Sequence, residues 1–283
     1  MKLLLIWAAK AAAIWVVTII AAIAGNALFP LPMEAAAGDG PLTAGQAFLL
    51  VNGLTALVLS ALAPRLNGAA WERAALLFLF VFLLETLLSQ IESWFFGQWL
   101  ALPAGMLPAM TAAGAIKAMA AAGAAALLWR PRARTAPRLS GLAWKLPLVV
   151  AAYVLLYFAA GQFIAWQSEA VRAYYEEGLG IDTGRLVLLQ VGRGAVWALL
   201  AAVAAWRLGG PPLGRALLAG TAFSVLMAAP LLFPNPFMPW SVRSVHLVEI
   251  GVSNFLFGLL AVPLLCMGSI DRKIRKDAAM APA

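Results

Sequence analysis

Cysteine and histidine each occur once in this chain of 283 residues. The single Cys266 rules out an internal disulfide framework and a multi-cysteine metal centre, and His246 alone cannot supply bis-histidine haem ligation within one chain. Charge is scarce as well: 11% of residues are Asp, Glu, Lys or Arg, against about a quarter in a soluble domain. The sequence has no phosphate-binding loop, no Gly-x-Gly-x-x-Gly fingerprint and no Gly-x-Ser-x-Gly elbow. The His-Glu-x-x-His pair of zinc proteases and the Glu-Glu-x-x-x-Arg motif of prenyl-protein proteases are absent too. His246 and Glu249 offer two ligand types at i, i+3, one short of the usual catalytic zinc set. No metal, cofactor or catalytic group is assigned on this pattern.

Apolar residues, by contrast, make up 64% of the chain. With roughly 20 apolar residues per crossing of a roughly 30 Å hydrocarbon core, the pattern predicts eight membrane-spanning helices. They lie near 6–26, 44–63, 74–95, 103–129, 144–166, 185–206, 213–233 and 246–269. The first run resembles a secretory signal, with Gly25 near its end. Lys10 interrupts it and a later stretch repeats its pattern, so it is read as a retained helix.

The repeat pairs Trp7 through Lys10 and the run ending at Gly25-Asn26 with Trp144-Lys145 and the run ending at Gly161-Gln162. It continues with Gly45 through Gly53 against Gly184 through Gly194, and with Arg65-Leu66-Asn67-Gly68 against Arg207-Leu208-Gly209-Gly210. Arg73 and Arg215 follow at equal spacing. The expected fold is therefore all-α and polytopic, with two parallel four-helix repeats over 1–135 and 136–283.

Net charge is +8, and its distribution argues against nucleic acid as a partner. Lys2, Arg65, Arg73, Arg130, Arg132, Arg134, Arg138, Lys145, Arg207, Arg215, Arg272, Lys273, Arg275 and Lys276 fall on one side of the predicted spans. Arg172, Arg185 and Arg243 fall on the other, with Glu34, Asp39, Glu169, Glu176, Glu177 and Asp182. The positive-inside bias makes the first side, with both termini, cytoplasmic, in an inner (plasma) membrane of bacterial type. Membrane lipid is the expected partner.

Polar residues within the spans carry the functional reading. A charge at the bilayer centre costs roughly 2.5–3.5 kcal/mol on insertion scales. Glu85 and Lys117 lie at similar depth on antiparallel neighbours, which predicts an ion pair. Ser89 and Glu92 extend the Glu85 stripe at i+4 and i+7, with Gln90 pointing elsewhere. Arg193 and Glu249 are matched in depth and are expected to pair, leaving His246 at the outer rim. With Asn26, Asn52, Gln162 and Asn254 these residues predict an outward-facing polar cavity, closed toward the cytoplasm by Ala/Leu-rich helix halves.

Aromatic and proline-rich outer stretches, Ser93 through Trp99 and Phe233 through Trp240, read first as an interfacial aromatic belt and alternatively as a lid or lateral entrance to the cavity. Residues 166–177 read as an interfacial helix with Val171, Tyr174 and Tyr175 on one side. The leading expectation is a transporter or carrier for a small or lipid-like solute. Its rivals are an enzyme acting on a lipid headgroup at the outer leaflet, with Glu249 or His246 as acid/base, and a non-catalytic subunit or assembly factor.

Overall fold

Helix follows helix along this chain because each long apolar run can satisfy its backbone only internally once it leaves water. The structure, a computed structural model, describes residues 1–32, 39–97, 102–131, 139–176 and 182–268. Its helices are α1 (Lys2–Leu28), α2 (Ala44–Leu62), α3 (Ala70–Phe95), α4 (Met106–Leu128), α5 (Leu142–Phe163), α6 (Glu169–Glu176), α7 (Thr183–Arg207), α8 (Pro212–Ala228) and α9 (Trp240–Cys266). Among the described residues all but α6 belong to the eight segments long and apolar enough to cross a membrane.

The helix ends follow local rules. Thr43 caps α2 through Gln46 in a reciprocal box, and the Asp182 side chain accepts the amides of Gly184 and Arg185 to start α7. The last helix begins about two turns earlier than hydropathy predicts, directly after Pro239. Arg243, in the first turn of the longer helix, is only 1% exposed and is satisfied by Asp39 and by loop carbonyls.

Several basic residues close the opposite end of the bundle. Lys145 donates to the Leu265 and Met267 carbonyls, Arg73 to those of Ala126 and Trp129, and Arg215 to that of Ala205. Each thereby meets a helix C-terminus, where cations are favoured. Lys10 reaches the same end, its ammonium 4.6 Å from the Trp129 ring centroid. The basic stretches Arg132 to Arg138 and Arg272 to Lys276, like Glu34, Glu177 and Trp99, lie outside the described residues.

The two stretches that match in sequence meet at this end. Leu66 and Leu208 form an isolated antiparallel bridge, with the Asn67 amide donating to Arg207 and the Gly209 amide to Arg65. Gly68 and Gly210 turn the chain there with φ of 121° and 123°, a conformation that needs glycine. Arg73 and Arg215 reach back to the Ala63 and Ala205 carbonyls in the same way.

Above this clasp lies the apolar core. Leu59, Leu77, Phe80, Ala201, Ala204, Phe223 and Val262 are fully or almost fully buried. Trp197 packs against Tyr153, Phe223 and Phe257 with ring centroids 5.2–5.7 Å apart. Beside this cluster α8 and α9 touch backbone to backbone: a Cβ on Gly258 would lie 2.4 Å from the Gly220 Cα. Small residues allow that approach, the device by which membrane helices pack closely.

Candidate functional site

A π-turn in the α-helical ladder of α3 marks the site. It spans Leu83–Leu87, centred on Glu85, and is a device that rotates the following side chains and recurs at functional positions. Its effect is visible on the polar stripe: Glu85, Thr86, Ser89, Gln90, Glu92 and Ser93 all face one cavity. Gln90, expected to point elsewhere, joins the lining, because the wider turn shifts the helical phase that strict 100° steps assume.

The cavity has a volume of about 960 Å³. It begins at Tyr153 and Phe257, above the packed aromatic core, and reaches Trp166, Phe233, Pro234 and Asn235. All eight residues singled out from the sequence, Glu85, Ser89, Glu92, Lys117, Arg193, His246, Glu249 and Asn254, line it. So do Asn26, Asn52 and Gln162. Phe48, Met106 and Met110 add an apolar wall from α2 and α4.

Two of the three ion pairs at the wall link different helices. Glu85 pairs with Lys117 across α3 and α4, and Thr55 of α2 donates to the same carboxylate at 2.5 Å. Glu92 pairs with Arg193 at 2.8 Å, and Arg193 also donates to Gln190, which accepts in turn from Tyr153. The expected Arg193–Glu249 pair is therefore not formed. Depth along the bilayer admitted either carboxylate, and the placement of α3 beside α7 selects Glu92.

Glu249 bonds instead to His246 one turn earlier on α9, Oε2 to Nδ1 at 2.5 Å. The other ring nitrogen, Nε2, lies 3.1 Å from the Tyr175 hydroxyl. His246 is thus part of the cavity wall. Burial pushes the Tyr175 phenol well above its ordinary range, and the Glu92 carboxylate and neighbouring Tyr174 add to this. The imidazole thus bridges the Tyr175 hydroxyl and the Glu249 carboxylate. Tyr175 was missed as a site residue. The signal available was its place, beside Tyr174 and Val171, on the inward face of α6.

The third ion pair organises the cover. Arg243 donates to both carboxylate oxygens of Asp39, at 2.9 and 3.2 Å, and to the carbonyls of Leu231, Asn235 and Met238. The segment 229–239 is folded against α9 by these bonds, and Tyr174 ties it to α6 through the Phe237 carbonyl at 2.6 Å. In the other outer stretch Ser93 and Phe96 line the cavity while Trp94 is exposed.

Among the described residues, no three His, Cys, Asp or Glu side chains come together as metal ligands. The site holds paired charges, a Tyr–His–Glu chain and a mixed polar and apolar lining, which suits binding of an amphipathic molecule and proton exchange with it. Compared with family models, curated proteins and solved structures, the chain matches none.

Proposed function

We propose that this protein is a carrier for a small or lipid-like solute that occupies the cavity from the outer half of a bacterial-type inner membrane. The observation that carries the reading is the 960 Å³ cavity itself, with buried carboxylates on one wall and methionine and phenylalanine on another. A purely structural bundle would fill such a space, since voids forfeit packing. The same reading takes the chain as two parallel four-helix units, 1–135 and 136–283, related by an axis along the membrane normal. The matched Arg65 and Arg207 turns, bridged through Leu66 and Leu208, support it. The excess of basic residues at the clasped end supports a cytoplasmic position for that end and for both termini.

Thiol accessibility tests the carrier reading. In a Cys266→Ser background, Asn254→Cys reacts with a membrane-impermeant maleimide from the outer side of proteoliposomes, and Ala201→Cys, in the closed core, reacts slowly from the inner side as the bundle alternates. Protection of Ala201→Cys from both sides, with Asn254→Cys labelled, would reduce the protein to a one-sided receptacle.

The Tyr175–His246–Glu249 chain favours a second reading, acid/base chemistry on a lipid headgroup held in the same cavity. A headgroup product formed by the wild type and lost in His246→Gln, with binding retained, would select that reading over a carrier.

A further inference from the structure

The balance of charge in the cavity points to the chemical class of the solute; the step rests on the carrier reading above. Glu85 is neutralised by Lys117, Glu92 by Arg193, and Arg243 by Asp39. Glu249 remains. Its Oε2 is bonded to His246, while its Oε1 has no hydrogen bond or Lys/Arg partner among the described residues. The other two cavity glutamates each hold a Lys or Arg, and a carboxylate with an unbonded oxygen turned to the cavity favours a cationic ligand.

Two further observations agree. The side of Glu249 not bound to His246 faces a gap created by a missing side chain: a Cβ on Gly161 would lie 3.7 Å from Glu249 Oε1 and 3.9 Å from Trp166 Cδ1. Around that gap the lining is aromatic. Trp166 and Tyr175 have ring centroids 5.8 Å apart, Tyr175 and His246 5.9 Å, and Tyr157 completes the wall. A carboxylate among aromatic faces is the chemistry that holds alkylammonium groups. Deeper in the cavity Asn52 spends its amide on the Phe48 carbonyl, leaving a buried Oδ1 acceptor without a partner. Arg193 Nε is the one buried lining donor in that condition, and its guanidinium is already neutralised.

We propose that the cavity binds an organic ammonium amphiphile, its cationic head between Glu249 and the Trp166, Tyr157 and Tyr175 rings in the gap left by Gly161. The aliphatic part lies along Phe48, Met106 and Met110, where flexible thioethers accept variable shapes.

The test uses the full chain in phosphatidylglycerol nanodiscs, which contain no ammonium lipid, titrated with octyltrimethylammonium, octyl sulfate, 1-octanol and tetramethylammonium. Glu249→Gln in identical discs corrects for partition into the membrane. Octyltrimethylammonium binds saturably at one per chain, about tenfold or more tightly to the wild type than to Glu249→Gln, and octyl sulfate does not bind. Gly161→Leu, which fills the gap, abolishes binding; Gly161→Ala, whose methyl meets only ordinary contacts, folds and reports a smaller loss.

Equal binding of octanol and octyltrimethylammonium, unchanged in Glu249→Gln, would overturn the ammonium assignment and leave the carrier reading standing. Tetramethylammonium binding as tightly as its octyl analogue would overturn the amphiphile and assign the site to a small free cation. Failure of all four probes, together with protection of Asn254→Cys from maleimide, would remove the carrier reading as well.

Discussion

Lys117→Met destabilises the protein by about 3–5 kcal/mol, the cost of leaving a buried carboxylate without its counter-charge. The Glu85 side chain is 1% exposed and its oxygens are held by Lys117 and Thr55. Removing the ammonium leaves Thr55 as the sole donor to a group that the surrounding helices cannot hydrate. On the scale of a chain this long the loss corresponds to a fall in unfolding temperature on the order of 10 °C, read by tryptophan fluorescence in detergent. The double variant Glu85→Gln, Lys117→Met recovers at least half of that, because a neutral amide costs far less to bury than an orphan charge. If the double variant is stable and still binds its solute, the pair is a staple between α3 and α4. If it is stable and does not bind, the pair belongs to the site. Single and double variants that unfold alike would show that the charges are not coupled.

Arg243→Gln has the second large effect, and it falls on the cover of the cavity. Asp39 is 40% exposed on its side chain, so the ion pair alone contributes little. The greater loss comes from the carbonyls of Leu231, Asn235 and Met238, which share one guanidinium and lose bonds to a charged donor worth about 1.5–3 kcal/mol each. Amide exchange in 229–242 rises by an order of magnitude or more, while the clasp around Leu66 and Leu208 is unaffected. Arg243→Lys does not rescue it, since a single ammonium cannot reproduce the planar fork.

The same contact gives the cover a dependence on pH. Partial burial pushes the Asp39 carboxyl up, but Arg243 and the Trp240 amide outweigh it and hold the group below its usual value near 3.8. A depressed carboxyl stabilises the folded state above its unfolded pKa and loses that contribution as pH falls through the folded value. Exchange in 229–242, corrected for its intrinsic dependence on pH, therefore rises below about pH 4, and this rise is absent in Asp39→Asn.

The helices and their polar content were legible because both are one-dimensional properties. Apolar run length located all eight helices long and apolar enough to cross a membrane, and residue depth along them was enough to bring Glu85 to Lys117, since α3 and α4 are antiparallel neighbours. Depth failed for Arg193 because it fixes a position along the membrane normal and not around it. Two carboxylates share the level of Arg193, and the arrangement of α3, α7 and α9 decides between them.

The His246–Glu249 contact was present as an i, i+3 spacing and was set aside in favour of a longer-range pair. Gln90 was misplaced for a different reason. No residue in Leu83–Leu87 announces a π-turn, which arises where Glu85 meets Thr55 and Lys117 in the packed bundle. The basic residues show a related limit: Arg73, Lys145 and Arg215 read as surface topology signals, yet they are buried at 2–5% exposure and cap neighbouring helices.

The central claim is that the cavity is a binding site and not a packing defect. The most direct measurement is the small-molecule content of the purified protein by native mass spectrometry, wild type against Gly161→Leu, both verified as folded by their unfolding transitions. The account predicts an amphiphile carried by the wild type at near one per chain and absent from Gly161→Leu. Identical bound content in the two folded proteins, or an empty cavity in the wild type after extraction in mild detergent, would contradict it.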